Sequence, residues 1–217
     1  MQLRILMVDD HPSQIEGYKV ILEYNKSGHE IKATTAFTAE AAYNIIVSGA
    51  AFDVIFLDRS LPAFPEKNIF SGEDLAVLAK KHMPNAKIVI LTSHAESFLL
   101  YNIIKKIHPE GLLVKSDFTA EELLNAFEII LQGEMYYTET VKQSIKELLS
   151  TEDYLDSYNR QIITLLSQGV KTKSIPEILN LSQSTVEKRK AHIKEYFQIE
   201  RGTDEEIVRE AKKRGFI

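Results

Sequence analysis

The 217 residues carry 26 Lys+Arg against 31 Asp+Glu, a net charge of −5, with 44% apolar residues and no cysteine. That composition allows one large domain or two modest ones with real cores, and it excludes disulfides, thiolate metal sites and a cysteine nucleophile. No run approaches the roughly 18 apolar residues of a membrane span. The opening MQLRILMVDD lacks the apolar stretch of a signal peptide, so the expected setting is cytoplasmic, without a membrane partner.

Taken in chain order, the first half alternates short apolar runs with helical patterns. Runs at 4–8, 30–35, 54–57, 87–91 and 111–114 are the expected strands of one doubly wound, five-stranded parallel sheet. Between them lie a helix from Ser13 or Pro12 towards Tyr24, a Thr38-capped helix ending at Val47 before Gly49, a helix over 72–82 and another over 95–107. A Pro- and aromatic-rich loop over 61–71 precedes the third helix. The helix at 95–107 holds Phe98, Leu99, Leu100, Tyr101, Ile103, Ile104 and Ile107, more than one buried stripe needs, so part of it is expected to face a partner. Thr119 and Glu122 form a T-x-x-E capping box that opens a fifth helix, and Gly133 closes the first domain.

Residues 134–153 read as a connecting helix and polar linker. The domain at 154–217 is helical throughout. Ile162, Ile163, Leu165 and Leu166 make one apolar face ended by Gly169, and Ile175, Ile178 and Leu179 a second ended by Asn180. Pro176 fits only within the first turn of its helix. Ser182 caps a helix to Phe197, and a last one runs over 204–214. Charge divides along the same line: residues 1–153 hold 14 Lys+Arg and 22 Asp+Glu, a net of −8, and residues 154–217 hold 12 and 9, a net of +3. A basic tail behind an acidic front makes nucleic acid a candidate partner of the second domain.

The carboxyl ends of parallel strands line the edge where such sheets bind ligands. Asp9, Asp10, Asp58, Thr92 and Lys115 all fall there. Three gathered carboxylates repel one another unless a cation joins them, and oxygen ligands suit a hard ion such as Mg2+. Thr92 offers a hydroxyl and Lys115 a point charge, both suited to an oxyanion. Singly, each of these residues is an ordinary strand end or turn; the joint spacing carries the signal. The ensemble reads as a site that takes a phosphoryl group on one Asp and senses it. In the second domain, two short helices joined by a tight turn have helix-turn-helix spacing. On the second of them, Val186, Ile193 and Phe197 form an inward stripe. Lys188, Arg189, His192 and Lys194 lie mainly on other faces, and Ser182, Ser184 and Thr185 crowd an N-terminus suited to phosphate.

These residues resemble the two-component response regulators of the NarL/LuxR type over essentially the whole chain. Residues 1–133 are similar to the flavodoxin-like receiver domain, through VDDHP at 8–12, LDRSLP at 57–62, LTS at 91–93 and VKSD at 114–117. Residues 154–217 are similar to the LuxR-type DNA-binding domain, through LSQSTVEKRKAHI. The resemblance implies Asp58 as phosphoacceptor for a histidine kinase. It implies Mg2+ held by Asp9, Asp10, Asp58 and the Ser60 backbone carbonyl, and phosphoryl oxygens bound by Thr92 and Lys115. It further implies double-stranded DNA as target and a homodimer on phosphorylation.

The chain departs from the family pattern in four places. Leu112 stands where an aromatic is common, the loop from Pro62 to Gly72 is extended, and Ser93 replaces a smaller residue. Asp156, Ser157, Tyr158 and Asn159 replace the usual Thr-Pro-Arg-Glu opening of the output domain. The main alternative is a receiver whose C-terminal domain binds protein. An enzyme is not expected: phosphatases with an Asp nucleophile want a second Asp where Ser60 stands, and no Gly-rich phosphate loop follows the first strand.

Overall fold

The computed structural model describes residues 2–150, 155–199 and 202–217, with the backbone alone for 147–150; of the polar linker expected at 150–153, Ser150 ends a helix and the rest lies outside the described residues. Contacts divide the chain into two compact units, Met1–Ala95 with Asn102–Lys142, and Glu96–Tyr101 with Gln143–Ile217.

Residues 2–150 alternate strand and helix: β1 (Gln2–Val8), α1 (Pro12–Glu23), β2 (Glu30–Ala36), α2 (Ala39–Val47), β3 (Val54–Asp58), α3 (Gly72–His82), β4 (Lys87–Thr92), α4 (Ser97–Ile107), β5 (Gly111–Val114) and α5 (Ala120–Leu131), then β6 (Tyr136–Tyr137) and α6 (Glu139–Ser150), the unit boundary crossing α4 and α6. All strand pairs are parallel, in the order β2-β1-β3-β4-β5-β6. The sheet therefore has a sixth strand that the apolar pattern, which placed 134–153 in connecting helix and linker, did not anticipate. Two residues are too few to show a period, and Tyr136 and Tyr137 are half-buried on an edge.

The central strands explain themselves. β3, β4 and β5 are buried along nearly their whole length, as parallel strands covered on both faces must be. Ile5, Met7, Val54, Phe56, Val89, Leu91 and Leu113 pack with Leu123, Phe127 and Ile130 of α5. Helix starts follow the cap residues: Thr38 accepts from Ala41 N at 3.1 Å, and Thr119 and Glu122 complete their capping box. The loop before α3 folds back on itself. Phe64 and Ile69 exchange backbone hydrogen bonds at 2.7 and 3.2 Å around a 3-10 turn, and Phe64 sits edge-on to Tyr43 of α2. In α4, Phe98, Leu100, Ile103 and Ile107 are buried and Leu99, Tyr101 and Ile104 half-buried.

The second unit contains α7 (Ser157–Ser167), α8 (Ile175–Leu179), α9 (Gln183–Tyr196) and α10 (Asp204–Lys213). Ile162, Ile163, Ile175, Val186, Ile193, Phe197 and Ile207 form its core. Pro176 lies in the first turn of α8, and Asn180, at φ 54°, turns the chain towards α9. No helix among the described residues is long and apolar enough to cross a membrane.

Candidate phosphoacceptor pocket and DNA-facing helix

The sheet's carboxyl edge brings the expected residues together. Asp58 closes β3 in register with Leu91 and is 3% exposed; Asp9, one residue beyond β1, is 2% exposed. Lys115, one residue beyond β5, reaches between them: its Nζ lies 2.7 Å from Asp58 Oδ1 and 2.8 Å from Asp9 Oδ2. Burial alone would lower the Lys115 pKa, but hydrogen bonds and charge from Asp58 and Asp9 outweigh it and hold the ammonium above its ordinary value. The other Asp58 oxygen accepts from Ser60 N at 3.0 Å. Thr92 is wholly buried, its hydroxyl accepting from His94 N at 3.0 Å, while its carbonyl accepts from Lys115 N at 2.7 Å.

Two features of this pocket were not legible from the strand pattern. His11, which entered the sequence reading only within the VDDHP stretch, places Nδ1 2.8 Å from Asp10 and 3.1 Å from Asp9. Ligand atoms of Asp9, Asp10 and His11 lie within 4.8 Å of one another; Asp58 joins this group through Lys115. The adjacency of His11 to the acidic pair was the available signal. Gly72 is the second. A Cβ there would lie 2.0 Å from the Asp58 carbonyl oxygen, so α3 can begin against β3 only at a residue without a side chain. Tyr18 of α1 also feels the pocket: burial raises its pKa, with Lys115 opposing and Asp9 and Asp58 adding to the rise.

In the second unit α9 sorts its cations. Val186, Ile193 and Phe197 are buried, as their spacing implied. Arg189 turns back to Asp156, with contacts of 2.6 and 2.8 Å to the carboxylate and 3.0 Å to Asn159 Oδ1, and lies over the Tyr158 ring. Asp156 also caps α7 by accepting from Asn159 N at 2.9 Å. Burial would raise the Asp156 pKa, but the Arg189 bond and charge and the Asn159 amide outweigh it and lower it. The unusual opening of this domain thus supplies both a cap and a partner for the helix behind it. Lys190, buried at 9% exposure, pairs with Asp204 at 2.8 Å, and Lys194 donates to Gly202 O at 2.6 Å. Lys188 and His192 are exposed and have no partner among the described residues. At the N-terminus, Ser182 accepts from Thr185 N at 3.1 Å, and its hydroxyl lies within 2.9 Å of Ser184 Oγ and 2.8 Å of Thr185 Oγ1.

An acidic pocket at the edge of a parallel sheet, followed by a helix-turn-helix unit, defines a class of two-part signalling proteins. Residues 5–128 match the response regulator receiver domain. The chain is 30% identical over 207 residues to the oxygen regulatory protein NreC of Staphylococcus epidermidis, covering 88% of this chain and 89% of that protein. It is 24% identical over 220 residues to the transcriptional regulatory protein MctR of Rhizobium johnstonii, covering 100% and 96%. The fold is shared with the RcsB response regulator of Salmonella typhimurium, at a TM-score of 0.73 and 19% identity over 97% of this chain and 99% of that one. A LuxR-family response regulator from Aurantimonas sp. aligns at a TM-score of 0.55 and 27% identity, over 68% and 97%. The chain belongs to the response regulator receiver family, as a regulator of the NarL/LuxR type.

Proposed function

We propose that this chain is a phosphorylation-controlled, DNA-binding transcription regulator with Asp58 as its phosphoacceptor and a histidine kinase as donor. The observation that carries the reading is the buried Asp58 carboxylate, held between Lys115 Nζ and Ser60 N at the edge of the sheet. One Asp58 oxygen forms the new bond to phosphorus while the bond from phosphorus to the donor breaks, its electron pair leaving with the donor. Lys115 stands where it can shift its charge from the carboxylates to the phosphoryl oxygens, and Thr92 closes β4 beside it.

Mg2+ fits the residues present. Asp9, Asp10 and Asp58 bring three carboxylates against the single charge of Lys115, and an oxygen-rich donor set suits a hard cation. Asp9, Asp10, Asp58 and the Ser60 carbonyl would hold it, with His11 at the rim. When bound it would neutralise the charge that develops during transfer.

On the output side, Lys188 and His192 with Ser184 form the groove-facing set, and Ser182 and Thr185 steady the helix N-terminus at a backbone phosphate. Arg189 and Lys194, both candidates from sequence, brace α9 within its domain. Two copies would pair on two half-sites. The test is intact mass after incubation with acetyl phosphate and Mg2+. The parent gains one phosphoryl group and Asp58→Asn gains none; equal labelling of both overturns the assignment.

A further inference from the structure

The loop that carries Lys115 is fastened on both sides of the lysine to one short segment, the start of the connecting helix. On the upstream side, Val114 N donates to Thr138 Oγ1 at 3.1 Å, and Thr138 N donates to Leu112 O at 3.2 Å. Thr138 is 3% exposed, so its hydroxyl is a buried acceptor with a fixed partner. On the downstream side, the two oxygens of Asp117 accept from Thr140 N at 3.0 Å and Thr140 Oγ1 at 2.9 Å. Thr140 is the second residue of α6, so Asp117 serves as that helix's cap from 23 positions away in the chain. β6 completes the junction, with Leu112 of β5 in register with Tyr137.

A cap alone needs only Asp117. Attachment at Val114 and at Asp117, one residue before Lys115 and two after it, has a further consequence. Lys115 is bound through its backbone to Thr92 O and through its ammonium to Asp58 and Asp9. Its side chain must redistribute when one of those carboxylates acquires a phosphoryl group. A slack loop would absorb that shift; this one is tied at both flanks to residues 138 and 140. We propose that Thr138 and Asp117 are positioning residues for Lys115, and that the bonds joining Leu112, Val114 and Asp117 to Thr138 and Thr140 carry the response to phosphorylation into α6, the helix leading to the DNA-binding unit. The inference rests on Asp58 as the phosphoacceptor.

The experiment uses the full chain and a duplex selected by the protein in the presence of acetyl phosphate and Mg2+. Its readouts are Asp58 labelling by intact mass, and the ratio of DNA affinities with and without the phosphodonor. In Asp117→Ala and Thr138→Val, labelling persists while the affinity ratio falls about tenfold relative to the parent. That is about 1.4 kcal/mol, the scale of one hydrogen bond to a charged group. Affinity without the donor stays at the parent's level, and Thr138→Ser, which restores the hydroxyl, restores the ratio. A merely structural role would lower thermal stability and leave the ratio in place. If Thr138→Val does not fold, Thr140→Val, which loses only the bond to Asp117 Oδ1, is read the same way. A parent-like ratio in the folded variants overturns the proposal, as does a parent whose DNA affinity ignores the donor. Labelling that survives in Asp58→Asn removes the site reading, and the proposal with it.

Discussion

In the first unit a single lysine stands between two buried carboxylates, and its partners are the groups expected to change chemically. In the second unit α9 carries four Lys and Arg side chains, and three of them, Arg189, Lys190 and Lys194, are committed to fixed acceptors of their own domain. The same chemistry does different work. Lys115 is poised because the partner it holds can become something else, whereas Arg189 and Lys190 hold helices in place. A count of positive charges on a helix is therefore a poor guide to which of them reach a ligand. The exposed Lys188 and His192 are a smaller set, and a better defined one.

The contrast breaks most visibly at Lys115. Lys115→Ala leaves Asp9 and Asp58 buried side by side without their cation, and a buried pair that loses one partner is destabilised by several kcal/mol. The expected loss is about 3 kcal/mol of unfolding free energy in metal-free buffer, largely recovered on adding millimolar Mg2+. Denaturant unfolding with and without the ion measures both, and an unchanged midpoint without metal shows that the lysine does not hold the pocket together. Gly72→Ala comes next. Its new Cβ meets backbone, not a flexible side chain, so α3 must move off β3 at a cost of about 2 kcal/mol, with slower labelling of Asp58. Parent-like stability would mean that the close approach relaxes freely.

Within α9 the comparison sharpens into a pair of variants. Lys188→Ala is expected to weaken binding to a selected duplex about tenfold, or about 1.4 kcal/mol, at unchanged thermal stability. Arg189→Ala is expected to lower stability by about 1 kcal/mol, since the Asp156 side chain is 43% exposed and the pair is partly screened. If Arg189→Ala weakens DNA binding without loss of stability, the division between bracing and reading cations is wrong.

The smallest effect is the response to acid. The folded-state pKa of Asp156 is depressed, and so is that of Asp204 beside Lys190 and Thr172. Their contribution is therefore present above the unfolded carboxylate pKa, near about 4, and is lost as pH falls through the lower folded value. Asp156→Asn should flatten that acid limb by a fraction of a kcal/mol, read from thermal midpoints between pH 3 and pH 5.

The sequence by itself determined the alternation of strands and helices, the strand ends bearing Asp9, Asp58, Thr92 and Lys115, and the inward stripe of α9. Apolar period and strand length are local properties, and a parallel sheet puts every strand's carboxyl end on one edge whatever the loops do. The tertiary structure decided the rest. Arg189 meets Asp156 from 33 positions away, Thr140 meets Asp117 from 23, and Gly72 meets the Asp58 carbonyl across a loop that folds upon itself. β6 exists only because β5 offers it an edge. Partnerships of this kind depend on where distant segments come to rest, and a one-dimensional pattern holds the distances along the chain but not those across it.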